Sequence, residues 1–410
     1  MYKFKFLLCY LVCSVTAFAQ NNTNSPYSMF GYGELASSGL AGNKAIGGVG
    51  YGLRSNRMIN TVNPASYSAV DSMTVMSDIG ISGRITLFKE GSNKNSTTNG
   101  NLDYIAFQLP LIRNMGLSFG FTPFSFVGYN VTNRQVHNTN SGNVVSNASF
   151  VGTGGINNLY GGLAYEIGNR FSLGFDVNYS FGNIKHSSSF SIEDDITYPY
   201  PTSEVRNLQV NDVSLRYGAQ AKVWETDRQA LTLGATYKHK SALNGTFDVT
   251  VTNAITNIES NTSYNFDLPT IIGGGLYYSY KNSLSAGFDY TREQWADTRF
   301  YSKTDTLYNV NRFAAGVSYI PNPNSRFYHN RIKYSAGASV ANSYVLGSAN
   351  NYTASVGLGF PLRSAKTYLN AVFEYGNNKV SSSAALQEEY FKFTLSASIS
   401  ELWFHKRRLD

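Results

Sequence analysis

The stretch FSLGFDVNYSFG, residues 171–182, alternates without a miss. Phe171, Leu173, Phe175, Val177, Tyr179 and Phe181 fall on one face of an extended chain, and Ser172, Gly174, Asp176, Asn178 and Ser180 on the other. A period of two is a β-strand. One face is bulky and apolar, the other small and polar, so the two meet different surroundings. The large face turns either inward to a soluble core or outward to lipid.

The pattern recurs. Met73, Val75, Ile79, Ile81, Ile85 and Leu87 alternate with Thr74, Asp78, Ser82, Arg84 and Thr86. Ile105, Phe107, Leu109 and Leu111 mark a second strand, Leu117, Phe119 and Phe121 a third, Leu163 and Tyr165 a fourth. After the opening stretch come 213–223, 231–237, 271–277, 284–290, 313–319, 332–338, 352–358, 369–375 and 391–399. That makes fourteen strands, an even number, as single-chain outer-membrane barrels have. Arg113-Asn114, Gly168-Asn169, 225–228, Lys281-Asn282 and 363–366 read as tight turns, whereas 89–101, 131–155, 188–207 and 251–263 read as longer polar loops. Short periplasmic turns and long outer loops belong to such a barrel, with both chain ends on the periplasmic side.

Fourteen apolar faces cannot bury one another in a single soluble core. Lipid can take them all, and closure leaves no strand edge unpaired. Composition agrees. Charged residues are 14% of the chain, against roughly 25% in soluble domains, while Tyr (30), Phe (26) and Gly (37) are abundant. After residue 20 no run of 18 apolar residues offers a transmembrane helix. The fold class expected is all-β, an antiparallel transmembrane barrel over residues 72–404.

Lys3 and Lys5, an apolar run from Phe6 to Val15, and Ala17-Phe18-Ala19 make a secretory signal peptide over 1–19, cleaved near Ala19. Both cysteines, Cys9 and Cys13, lie inside it. The mature chain then has no disulfide, thiol nucleophile or cysteine metal site, which suits a bacterial envelope protein. The net charge of +7 is spread along the chain apart from the tail 405–410 with Lys406-Arg407-Arg408, so no basic stripe points to nucleic acid. His137, His186, His239, His329 and His405 have no partner at the spacing of a dyad or metal site. The expectation is no enzyme, no metal and no cofactor.

Before the first strand stands SPYSMFGYGELASSGLAGNKAIGGVGYGLRSNRMINTVNPASYSAV, residues 25–70, rich in Gly and ending in Asn63-Pro64-Ala65. It resembles the plug segment of the FadL family, outer-membrane transporters of fatty acids and other hydrophobic molecules. LPTIIGGGLYYSYKNSLSAGFDYTREQWAD, residues 268–297, is similar to that family's middle strands, and NRFAAGVSYIPN and RIKYSAGASVANS look like the strands that follow. The ending ELWFHKRRLD looks like barrels of Bacteroidota-type bacteria. In that group, FadL-like barrels also serve as partners in larger secretion or assembly complexes.

The resemblance implies a fourteen-stranded barrel closed by a plug over 20–71. Tyr27, Met29, Phe30, Tyr32 and Leu40 would line an apolar pocket or pack the lumen. Asn63-Pro64-Ala65 would be the rigid turn that hands the plug to the first strand. In the third strand, Pro123 cannot donate to the ladder and Gly120 and Gly128 weaken it. In the family a kink there opens a lateral exit; otherwise Pro123 marks a bulge. Arg84, Asp176, Arg216, Lys222, Lys238, Asp289, Arg312 and Lys333 face inward. Arg216 and Lys222 are candidates for binding a carboxylate, against a role in a lumen network. Two functions follow: passive passage of fatty-acid-like hydrophobic small molecules across the outer membrane, or a non-transporting barrel that docks another envelope protein.

Overall fold

In the computed structural model, residues 23–139, 142–193, 202–253, 256–261, 264–281, 283–347, 349–362, 366–379 and 386–403 are described. The expected signal peptide 1–19 and basic tail 405–410 lie outside them.

Each alternating stretch forms a strand: β1 (Thr74–Glu90), β2 (Asn93–Ile112), β3 (Met115–Thr139), β4 (Gly142–Ile167), β5 (Phe171–Glu193), β6 (Thr202–Glu225) and β7 (Gln229–Lys238). The second half supplies β8 (Thr270–Tyr280), β9 (Leu284–Gln294), β10 (Val310–Tyr319), β11 (Lys333–Asn342), β12 (Asn350–Pro361), β13 (Tyr368–Lys379) and β14 (Gln387–Leu402). Every strand pairs antiparallel with its chain neighbour, and β14 closes on β1 through rungs such as Phe391↔Ile85. Turns at one end are tight, apart from the link 320–332 between β10 and β11. Gly168 and Asn169 both take φ +59°, as a two-residue hairpin turn needs.

Which face meets lipid is settled by β5. Phe171, Leu173 and Phe175 are exposed, Phe171 by 58%, while Asp176 is 0% exposed. The greasy side faces out and the polar side faces the lumen. Exposed Tyr165, Trp224, Tyr319, Tyr334 and Trp403 ring the tight-turn end, and Tyr179, Tyr237 and Tyr352 ring the other. Aromatic girdles of this kind sit at the two membrane interfaces. In β8 the lipid face is Ile272 and Leu276. Gly273 instead faces the lumen, where the Tyr51 ring packs against it.

The expected long loops 89–101, 131–155 and 188–207 are mostly strand. β1 and β2 meet at Gly91-Ser92, and β3 and β4 stay paired up to Thr139↔Gly142. Their Ser, Thr and Asn residues pair well above the membrane without apolar contrast to reveal it. β3, β4, β5 and β6 have 25, 26, 23 and 24 residues. At ~3.3 Å per residue such strands reach about 80 Å, far beyond the ~30 Å hydrocarbon layer. β6 pairs with β7 only up to Arg216; above, from Val210, it pairs with a strand at Gly245–Thr252. The result is a blade on one side of the barrel.

Candidate functional site

Residues 23–71 run through the lumen. Their backbone groups are met by side chains from strands around the ring. Asp289 of β9 accepts from the Gly50 and Tyr51 amides at 2.6 and 3.0 Å. Gln220 of β6 donates to the Tyr51 and Leu53 carbonyls at 2.9 and 3.0 Å. Arg312 of β10 reaches the Gly47 carbonyl at 2.8 Å, and Gln108 of β2 the Tyr67 carbonyl at 2.9 Å. Buried backbone without secondary structure needs such partners. Within the segment, Asn60 donates to the Gly50 and Leu53 carbonyls at 2.7 and 2.9 Å and accepts from Asn43 at 3.1 Å.

Asn63-Pro64-Ala65 starts a 3-10 turn, Pro64–Ala69. The Asn63 side chain accepts from the Ala65 amide at 3.0 Å and donates to the Tyr51 carbonyl at 2.8 Å. It thus caps the turn and ties it to an earlier part of the segment.

The five aromatic and apolar candidates do not converge. Tyr32 is buried with its ring 5.8 Å from Trp295 and 5.2 Å from Phe300, and its hydroxyl donates to the Asp267 carbonyl at 3.0 Å. Met29 packs against this same cluster, which caps the outer end. Leu40 belongs to a second cluster with Tyr67, Tyr104 and Tyr160. Tyr27 donates to the Leu386 carbonyl. Phe30 is exposed. Arg216 pairs with Asp176 and donates to the Thr61 carbonyl at 2.8 Å. Lys222 lies 3.4 Å from both Glu166 and Glu225.

The wall is split beside Pro123. The β2–β3 ladder runs from Ile112↔Met115 to Ile105↔Phe121 and ends there. Above it β2 continues with β1 alone, up to Asn93, and β3 with β4. Gly120 is next to the last rung, and a bulge separates Pro123 from Ser125. On the lumen side Glu34–Leu35 pairs with Phe126 and Ser125, so the N-terminal segment lends a short strand to the freed edge. Gly128 exchanges hydrogen bonds with the Ser28 hydroxyl at 3.1 and 3.2 Å.

A cavity of about 320 Å³ reaches this split, bordered by Asp103 of β2 and by Thr122, Pro123 and Phe124 of β3. Its walls mix apolar side chains such as Leu35, Phe126 and Trp295 with charged pairs. Arg84 pairs with Glu34 and, at 2.9 Å, with Glu388. Asp103 takes Lys44 at 2.6 Å and Lys392 at 3.1 Å. Glu34, Lys44, Glu388 and Lys392 were missed in the sequence. Lys392 already stands on the polar side of the stretch 391–399, though uncounted among the inward charges, and Glu388 shares its parity on β14, so extending the alternation below Phe391 would have exposed it. Among the described residues no group of three or more His, Cys, Asp or Glu could hold a metal ion.

A closed ring of fourteen strands, lipid outside, a polar lumen and a threaded N-terminal segment define an outer-membrane barrel of FadL-like fold. Solved structures of that fold superpose on it. A Pseudomonas aeruginosa FadL homologue matches with TM-score 0.61 and 13% identity, over 89% of this chain and 99% of its own. The CymD monoaromatic hydrocarbon channel matches at 0.56 and 14%, over 92% and 100%. The Ralstonia pickettii toluene transporter TbuX matches at 0.56 and 14%, over 89% and 98%. No curated protein matched in sequence. The profile of the BamG family matches residues 1–410, and the chain belongs to that family.

Proposed function

We propose that the chain is a plugged, non-conducting barrel that serves as a docking subunit of an envelope complex in the outer membrane. The observation that carries this reading is the lumen. The N-terminal segment is bonded to β2, β6, β9 and β10, and the space left near the split has buried ion pairs set among its apolar side chains. An apolar solute there would strip water from charged groups. The blade above the membrane supports docking, since it presents surface that a channel does not need. The test is gentle solubilisation of outer membrane and pull-down of the chain. Stoichiometric co-purification of a large envelope protein is expected; recovery of the barrel alone overturns the reading.

A second reading is favoured by the split at Pro123. Hydrophobic small molecules, in the manner suggested by the hydrocarbon-channel and toluene-transporter names of the structural neighbours, would leave sideways between β2 and β3. Fatty-acid-like molecules are one such class. Pro123→Ala tests it: uptake of a hydrophobic probe into liposomes that is unchanged by the substitution rejects the lateral route.

A further inference from the structure

The tight-turn end of the barrel holds a second cavity of about 610 Å³, bordered by the plug bend around Arg57-Met58 and by β11 and β13. That is within the roughly 300–1,000 Å³ of ligand pockets. Its charges are unequally matched. Glu166 takes Arg54 at 2.9 Å and Lys222 at 3.4 Å. Asp71 pairs with Lys366 and accepts from Asn56 at 2.9 Å. Asp78 accepts from Tyr104 at 2.9 Å and Ser398 at 2.5 Å.

Among the described residues, three cations at this end have no such partner. The Lys333 ammonium faces the Met58 sulfur at 4.0 Å, a weak acceptor. A second cation, Arg57, lines the same cavity beside it. Arg57 lies beside the Tyr368 hydroxyl. Arg331 lies over the Tyr328 ring at 5.4 Å, and its buried Nε–H has no acceptor among the described residues. Confined like charges repel, and an anion placed between them gains from each.

We propose that this vestibule is an anion site in which Lys333 and Arg57 hold a carboxylate of an acidic peptide segment entering from the periplasm. A peptide suits the walls. Ser283, Ser285, Ser318 and Asn370 line the same cavity and supply donors and acceptors for a backbone. The identity of the occupant rests on the docking reading above, and it adds a periplasmic contact to the blade outside.

The test titrates the full-length detergent-solubilised protein with fluorescein-labelled hexaglutamate, at low and at physiological ionic strength. Hexalysine and inorganic phosphate are the comparison arms. Saturable hexaglutamate binding is expected, with no hexalysine binding. Lys333→Gln and Arg57→Gln should each weaken it about tenfold, and heat-modifiable gel migration checks that both variants fold. Absence of saturation, or binding unchanged in both variants, overturns the site. Phosphate displacing the peptide at equal molar concentration overturns the peptide as occupant. If a partner co-purifies with wild type but hexaglutamate does not bind, the site fails and the docking reading stands. If hexaglutamate binds as expected and no partner co-purifies, the site stands without that reading.

Discussion

Arg216 shows how a lumen charge is held. Its guanidinium pairs with Asp176, which is 0% exposed, and also reaches the Thr61 carbonyl of the N-terminal segment. Asp176 in turn accepts from the Tyr67 hydroxyl at 3.3 Å. Truncating one member of a buried pair leaves the other charge stranded, at about 3–5 kcal/mol. Arg216→Met is therefore expected to lower the urea midpoint of unfolding by a large step. Arg216→Met combined with Asp176→Asn should recover most of the loss. If the double variant is no better than the single, the pair is not what Arg216 supplies. Asp267, in the outer cap, gives a second handle. Burial alone would raise its pKa, but hydrogen bonds from Arg299 and Lys240 outweigh this and hold it at about 2. A carboxylate depressed below its unfolded value stabilises above that unfolded value and loses the effect as pH falls through the folded one. The cap is thus expected to hold fully above about pH 4 and to loosen between there and pH 2. Hydrogen exchange of residues 296–305 reads this out, and Asp267→Asn should flatten the pH dependence.

Among the elements, β5 carries the sharpest contrast between faces. Phe175 points to lipid and its neighbour Asp176 to the lumen. Phe175→Arg should cost roughly 2–4 kcal/mol near the bilayer midplane, measured by refolding into lipid vesicles. A cost near zero would place that face in water. This contrast is why the fourteen strands were legible from residues alone: wherever the two sides of a strand meet lipid and a polar lumen, the sequence must alternate. Above the membrane both sides of β3 and β4 meet water. There VTNRQVHNT and its partner stretch carry Ser, Thr and Asn on either face, and a strand looks like a loop. Pro123 was legible as a break because proline lacks the donor. The strand lent by Glu34–Leu35 was not, since two residues carry no period. The pocket candidates Tyr27 to Leu40 shared only a stretch of sequence, and nothing local tells Tyr32, bound for the outer cap, from Leu40, bound for the centre.

At the scale of the whole molecule, the open question is what seals the cylinder, and the glycines of the inner wall decide how closely the N-terminal segment can lie. A Cβ on Gly234 of β7 would stand 1.8 Å from the Tyr51 carbonyl, and one on Gly337 of β11 would stand 2.1 Å from the Gly47 amide. These positions face the lumen, so a side chain there leaves the lipid surface unchanged. It must instead push the plug away. Forcing added bulk into a packed interior costs typically about 1–3 kcal/mol, here charged to the plug contacts rather than to the ladders. Wild-type protein in liposomes is expected to pass no small sugar in a swelling assay, because the N-terminal segment meets the wall on several sides at once. Gly234→Val and Gly337→Val should keep the heat-modifiable migration of a folded barrel and yet admit the sugar, the double variant faster than either single. If all three variants fold and stay as tight as wild type, closure resides in the aromatic cap of Tyr32, Trp295 and Phe300. The lumen contacts would then position the N-terminal segment without sealing the barrel, and the split beside Pro123 would regain its claim as a route for small molecules.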